Sequence, residues 1–137
     1  MKILLDAMGG DNAPDANIKG AVNAINKIKA EVVLIGKEEI IRSKIKEFYG
    51  KEPEEISDRL KIKNANEIIE MEDTPTVAIK HKKDSSMVVG FKMLKENEGD
   101  VFISAGNSGA LLTGATLLVG RIKGIDRPAL ARNLTSL

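Results

Sequence analysis

The stretch "SAGNSGA" (residues 104–110) places small side chains between two apolar runs, "DVFI" and "LLTGATLLVG". Small residues fill a core poorly, so this segment either gives the chain room to turn or lets a ligand approach its backbone. Where a strand turns into a helix, the first helical N–H groups lack an intrahelical partner and carry partial positive charge. Such a turn suits a phosphate or a developing oxyanion. We predict that the residues that bind this phosphate or oxyanion are Ser104, Gly106, Asn107, Ser108 and Gly109.

A structural alternative for the same stretch is a well-capped helix packed closely against its neighbours, with the small residues serving only steric needs. The stretch does not match a P-loop, because no Gly-Lys-Ser/Thr sequence follows it. Both interpretations stay open on these residues alone.

The stretch "DAMGGD" follows the first apolar run of the chain and offers a second candidate site. Asp6 stands where a strand delivers a side chain to the ligand edge of a sheet, and Gly9 and Gly10 allow a sharp turn and are predicted to bind phosphate or substrate. Asp11 has the chemistry to bind a cation or to orient a base. Its alternative role is an Asx turn with Asn12, which would make the loop a turn and nothing more.

The segment "KHKKDSS" (residues 80–86) combines a local cluster of positive charge with two hydroxyls. We predict that Lys80 or Lys83 neutralises an anionic substrate or meets an acidic protein partner, and that Ser85 and Ser86 bind substrate or cap a helix. A solvated helix face is the structural alternative for the lysines. His81, the one histidine of the chain, is expected to be exposed and inert, and no grouping of His, Asp and Glu has metal-ligand spacing.

Composition excludes several classes of protein. Lys and Arg total 21 against 20 Asp and Glu, for a net charge of +1, and aromatic residues are few, so we expect no nucleic-acid binding. The chain has no cysteine, which excludes disulfides and cysteine nucleophiles and is compatible with a reducing cytoplasm. The first apolar run is too short for a signal peptide, and no run is long enough to span a membrane.

Hydrophobic periodicity predicts one α/β domain within the 137 residues. Apolar runs predict strands at residues 2–5, 31–36 and 99–105 and a weaker one at 60–63, with a strand or turn at 67–71. Helical spacing predicts helices at 17–28, 37–48, 74–81, 86–94 and 107–119, and residues 51–59 form a charged loop. Strands that alternate with helices favour a mostly parallel sheet covered on both faces, with ligands bound beyond the carboxyl ends of the strands.

Three segments in order, "DAMGGD", "EDTPTVAIKHKKDSSM" and "SAGNSGALLTGATLLVGRIKGIDRPALA", resemble the bacterial phosphate acyltransferases of the PlsX type. These enzymes move a fatty acyl group from acyl carrier protein to inorganic phosphate for phospholipid synthesis. The resemblance implies a three-layer α/β/α fold related to isocitrate and isopropylmalate dehydrogenases. It covers residues 1–131, whereas residues 132–137, "RNLTSL", depart from the family pattern. Since family members are considerably longer, we expect a truncated product that carries the N-terminal part of the enzyme.

The resemblance also implies roles and partners. Asn107, Ser108 and Gly109 would bind phosphate or the oxyanion, while Asp6 and Asp11 would order the facing loop or handle a proton. Neither a cofactor nor a metal is implied, because phosphate itself is the nucleophile. The implied partners are acyl carrier protein, phosphate and a second copy of the chain, in the cytoplasm, with peripheral membrane association through the acyltransferase that consumes the product.

Two other functions are alternatives to this one. The first is a catalytically incomplete remnant that binds phosphate or acyl carrier protein without turnover. The second is a dehydrogenase-like enzyme, against which stand the missing Gly-x-Gly-x-x-Gly turn and the lack of a carboxylate cluster suited to a metal.

Overall fold

A four-stranded, all-parallel β-sheet forms the centre of the computed structural model, which describes residues 1–120. The strands are β1 (Lys2–Asp6), β2 (Glu31–Gly36), β3 (Leu60–Asn64) and β4 (Val101–Ile103), and they lie in the order β3-β2-β1-β4. The helices of this part of the chain are α1 (Asp15–Lys27), α2 (Glu38–Tyr49), α3 (Pro53–Ile56), α4 (Pro75–His81), α5 (Ser86–Lys95) and α6 (Ser108–Gly114). A π-helical segment, Ala115–Val119, continues α6. The predicted α/β fold with a parallel sheet is confirmed.

The sheet is covered on both faces, which makes the architecture three-layered. Alternate residues of the central strands point to opposite sides: Val32 and Leu34 pack in one cluster with residues of α1 and α2, whereas Val33 and Ile35 pack in another with residues of α5. This arrangement explains why "EVVLIG" reads as an unbroken apolar run. Burying one such side chain contributes about 1.5–3 kcal/mol.

The start of α5 is fixed by a side-chain cap. The Ser85 hydroxyl oxygen accepts a hydrogen bond from the Val88 amide at 3.2 Å, which satisfies one of the first-turn N–H groups of α5. Of the two serines predicted as caps, Ser85 is therefore the one that caps, and Ser86 becomes the first residue of α5.

Helices α4 and α6 lie side by side, with their starts in contact. A Cβ atom built on Gly109 would lie 2.7 Å from Cγ of Pro75, and one built on Gly114 would collide with the Phe91 ring. Several small residues of "SAGNSGALLTG" therefore serve close packing, as the structural alternative proposed.

Some predicted elements differ from the observed ones. The charged loop at 51–59 contains α3, because Pro53 opens a helical turn and the carboxylate of Glu55 accepts a hydrogen bond from the Glu52 amide at 3.2 Å. Residues 67–71 form no strand beyond one bridge between Glu67 and Ser85. The strand predicted at 99–105 is confined to Val101–Ile103.

The helix predicted at 107–119 is α-helical only to Gly114, and the Thr116 hydroxyl donates to the Leu112 carbonyl at 3.0 Å in the turn that follows. Within residues 1–120, no helix has the length and apolar character needed to cross a membrane. The expectation for residues 132–137 lies outside the described residues.

Candidate functional site at the carboxyl edge of the sheet

Asp6, the last residue of β1, is the hub of a buried hydrogen-bond cluster. Only 2% of its surface is exposed. Its Oδ1 atom accepts hydrogen bonds from the Ser86 hydroxyl at 2.6 Å and from the Met8 amide at 3.0 Å. Its Oδ2 atom accepts from the Ser104 hydroxyl at 2.8 Å. One carboxylate therefore joins the three sequence segments that carry the family resemblance.

The Ser104 hydroxyl links Asp6 to the loop between β4 and α6. While it donates to Asp6, its oxygen accepts a hydrogen bond from the Gly106 amide at 3.1 Å. The conformation of the loop before α6 is thus tied to the end of β1. Between the two roles predicted for Asp6, loop ordering and proton handling, these contacts support loop ordering.

Gly9 and Gly106 bring two loop backbones into direct contact. A Cβ atom on Gly9 would lie 2.7 Å from Asp6 Oδ2 and 2.9 Å from the Gly106 nitrogen. Gly10 has a φ of +104°, a conformation that L-residues with side chains rarely adopt, and it lies against Ala105. The two glycines therefore allow the loops after β1 and β4 to close on each other, which is a structural role for both.

Asn17 holds the same loop from the side of α1. Its side-chain amide nitrogen donates to the carbonyls of Ala7 at 3.0 Å and Gly9 at 2.8 Å, with a longer contact of 3.3 Å to the Asp6 carbonyl. Sequence reasoning missed this residue, because a polar position on an amphipathic helix normally indicates solvent. Its position near the helix start could have indicated this role, because the glycine-rich loop just before it has backbone carbonyls that need hydrogen-bond donors.

Asn107 joins the start of α6 to the loop before α4. Its Oδ1 atom caps α6 by accepting from the Ala110 amide at 3.1 Å. Its Nδ2 atom donates to the carbonyls of Glu70, Met71 and Asp73 at 3.0–3.2 Å. The whole side-chain amide is therefore used by the protein itself to position the loops, and the predicted contact of Asn107 with a ligand stays a prediction.

Ser108 and Gly109 are exposed at the start of α6. As the first two residues of a helix, they have amide N–H groups without intrahelical partners. These groups lie next to the loops that Asp6 and Asn107 hold in place, so an anion at this edge would meet backbone donors that are already ordered. Of the residues predicted in "SAGNSGA", these two are placed to reach a ligand from solvent.

Ser85 and Ser86 do not reach solvent. Ser85 is 0% exposed and Ser86 is 2% exposed, and their hydroxyls bond to Val88 and Asp6 respectively. These contacts are structural, and the predicted contact of both serines with substrate stays a prediction. Asp11 is exposed and lines a separate groove of about 620 Å³ with Lys19 and Lys44, without a side-chain contact to the Asp6 cluster in the described part of the chain.

The lysines of "KHKK" divide between two roles. Lys82 donates to the Asp73 carboxylate at 2.6 Å and to the Ile68 carbonyl at 2.8 Å. Its ammonium group, followed by the Glu70 amide, lowers the pKa of Asp73 below its ordinary value of 3.8. Lys80 and His81 are exposed at the C-terminal end of α4 and Lys83 just beyond it, and within residues 1–120 neither lysine forms a hydrogen bond or an ion pair with Asp6. Their predicted role in substrate binding stays a prediction.

Residues 1–120 contain no group of three or more His, Cys, Asp or Glu arranged to hold a metal ion. The groups that this edge of the sheet presents to solvent include the backbone amides of Ser108 and Gly109, beside loops fixed by hydrogen bonds.

Comparison with known proteins gives consistent matches. A family model described as "Fatty acid synthesis protein" matches residues 1–136. A phosphate acyltransferase of Acetivibrio thermocellus is 57% identical over 131 residues, which cover 95% of this chain and 37% of that protein. Phosphate acyltransferases of Thermoanaerobacter pseudethanolicus and Clostridioides difficile are each 51% identical, over 100% and 95% of this chain and 39% and 37% of their own lengths. The chain thus spans well under half the length of these curated relatives.

Proposed function

This chain belongs to the fatty acid synthesis protein family, and we propose on that premise that it supplies the phosphate-binding edge of a phosphate acyltransferase. In the proposed reaction, a fatty acyl group moves from the thioester of acyl carrier protein to inorganic phosphate. The observation that carries the proposal is the meeting of three loops at Asp6, beside the exposed turn of Ser108 and Gly109 into α6. The names of the relatives support acyl transfer to phosphate.

The chemistry needs little from side chains. A phosphate oxygen forms a bond to the thioester carbonyl carbon, the carbon–sulfur bond then breaks, and the carrier leaves as its thiol, with acyl phosphate as the other product. Phosphate is nucleophilic near neutral pH, so the absence of cysteine from this chain is no obstacle. Catalysis then rests on orienting phosphate and on donors aimed at the oxyanion.

We assign the donors to the backbone amides of Ser108 and Gly109. The N-terminal turn of a helix favours an anion by its unsatisfied N–H groups and its dipole. Asp6 and Asn107 act as positioning residues, since their side chains contact protein and fix the loops on either side of that turn. Lys80 and Lys83 lie at the opposite end of α4 from this turn, so we propose that they meet an acidic protein partner and leave phosphate to the backbone amides.

A pair of substitutions at Ser108 tests this assignment. Proline is tolerated at the first position of a helix, and the preceding Asn107, with φ −56° and ψ 112°, lies outside the α region that a following proline disfavours. Ser108→Pro therefore deletes one amide donor without breaking α6, whereas Ser108→Ala keeps the amide and deletes the hydroxyl. Loss of one oxyanion donor lowers turnover by roughly 10²–10³-fold in enzymes of known mechanism.

The assay follows thioester consumption and acyl phosphate formation from acyl carrier protein and phosphate. We expect Ser108→Pro to lower acyl phosphate formation at least tenfold and Ser108→Ala to lower it little. Equal rates for Ser108→Pro and the wild type would rule out the assigned donor. Phosphate binding without any turnover would support the alternative function, a part of the enzyme that binds but does not catalyse.

The setting of the enzyme is proposed from the family resemblance. We propose that it acts in the cytoplasm as a homodimer and passes its product to an acyltransferase at the membrane. Sedimentation of the chain with and without membranes tests both the dimer and the membrane association.

A further inference from the structure

A groove of about 490 Å³ lies between α4, α5 and the π-helical segment. Its apolar lining comes from Ile79, Val88, Leu117 and Leu118. Ile79 and Val88 belong to the core and are almost fully buried, whereas Leu117 is 56% exposed. Leu117 extends the apolar lining from the buried core to the solvent-exposed side of the groove.

Three lysines, Lys80, Lys83 and Lys92, complete the lining of this groove. All three are exposed, and within residues 1–120 none forms an ion pair with a carboxylate. No Asp or Glu is among the lining residues of the described chain. Three like charges around an apolar surface form a positive potential that favours an acidic partner.

The groove is close to the proposed reaction site. Ile79 lies four residues beyond Pro75, about 6 Å along the helix axis, and Pro75 contacts Gly109 at the start of α6. A partner seated in the groove would therefore stand within about two helical turns of the amides of Ser108 and Gly109.

We propose that this groove docks an acidic, amphipathic helix of the acyl carrier protein, with its apolar residues against Leu117 and its carboxylates against the three lysines. The proposal rests on the proposed function, which requires a carrier to present its thioester near Gly109. An apolar centre with a charged rim is the usual anatomy of a protein interface. Charge complementarity also speeds the encounter of the partners and makes it sensitive to salt.

Binding is measured by fluorescence anisotropy with a labelled acyl carrier protein that bears a non-hydrolysable acyl amide. The variant Lys80→Glu/Lys83→Glu/Lys92→Glu reverses the charge of the groove. The control Lys29→Glu/Lys51→Glu/Lys63→Glu changes net charge equally at exposed lysines elsewhere. We expect the groove variant to raise Kd at least tenfold and the control to raise it less than threefold, and we expect the wild-type Kd to rise with salt. Circular dichroism verifies that both variants are folded.

Equal loss of affinity in the two variants would overturn the docking proposal, as would a Kd for the groove variant that matches the wild type. Binding of the wild type to anionic phosphatidylglycerol vesicles, without binding to the carrier, would also overturn it and assign the groove to a lipid surface. The reaction is judged separately, with a carrier-free acyl thioester of N-acetylcysteamine. Charge-dependent carrier binding without turnover of either thioester keeps the docking site and rejects the reaction. Turnover with an unchanged KM for the carrier in the groove variant keeps the reaction and rejects the docking site.

Discussion

Replacement of Asp6 by alanine removes the acceptor on which the site is built. Three donors lose their partner at once: the hydroxyls of Ser86 and Ser104 and the amide of Met8. The carboxylate is 2% exposed, so water is not at hand to replace it. The hydroxyls can rotate toward other acceptors, but the Met8 amide has a fixed direction.

The expected loss follows from the number of donors. A buried donor that loses its acceptor costs about 1–3 kcal/mol. With three donors, two of which can partly adjust, Asp6→Ala should lower the free energy of unfolding by about 3–5 kcal/mol. Asp6→Asn keeps one acceptor oxygen, and a serine hydroxyl can turn to accept from the new amide, so this variant should lose about 1–2 kcal/mol.

Urea unfolding followed by circular dichroism measures both losses, provided that the slope with denaturant stays constant. The matched control is Asp58→Ala, since Asp58 is exposed and a surface substitution usually changes stability by less than about 0.5 kcal/mol. If Asp6→Ala lost no more stability than Asp58→Ala, the carboxylate would not be holding the three loops, and the assignment of Asp6 as their hub would be wrong.

Three further predictions concern the contacts around this hub. Gly9→Ala should lower the free energy of unfolding by about 1–3 kcal/mol, because its Cβ would lie less than 3.0 Å from Asp6 and from the Gly106 backbone. Gly106→Ala should be milder, because its Cβ would lie 3.3 Å or more from its neighbours. Equal urea midpoints for the two variants would contradict the close contact at Gly9. Asn107→Asp keeps the helix cap but cannot donate to the carbonyls, so the free energy of unfolding should fall by about 1–3 kcal/mol. Asn107→Asp and Asn107→Ala should each lower turnover at least tenfold. Wild-type turnover in both variants would remove Asn107 from the positioning residues. Because the folded-state pKa of Asp73 is depressed by Lys82, its contribution to stability is present above pH 3.8 and lost as the pH falls through the folded pKa. The difference in urea midpoint between the wild type and Asp73→Asn should therefore shrink as the pH is lowered, and a difference independent of pH would contradict the ion pair.

The architecture could be predicted because its signals are local. The run "EVVLIG" and the helical spacing of Ile18, Val22 and Ile25 reflect burial that each segment shows by itself. The meeting of "DAMGGD" and "SAGNSGA" could also be predicted, since parallel strands end at one edge of the sheet.

The hydrogen bonds within the site could not be predicted in the same way. Asn17 and Asn107 bond to backbone carbonyls whose positions depend on the tertiary fold, so the sequence alone does not identify these partners. The different fates of Lys80 and Lys82 have the same origin, because Asp73 approaches one of them only after the loop before α4 is folded. The cap formed by Ser85 could be predicted because it is local to the start of α5, whereas the bond from Ser86 to Asp6 spans 80 residues and could not.

The central claim, that backbone amides at the start of α6 hold phosphate, is tested most directly by a titration of the ¹⁵N-labelled chain with inorganic phosphate, followed by NMR of the amide groups. We predict that the Ser108 and Gly109 resonances shift in a saturable way, and that equal concentrations of sodium chloride do not reproduce the shift. Saturable shifts confined to other amides, with Ser108 and Gly109 unmoved, would contradict the claim.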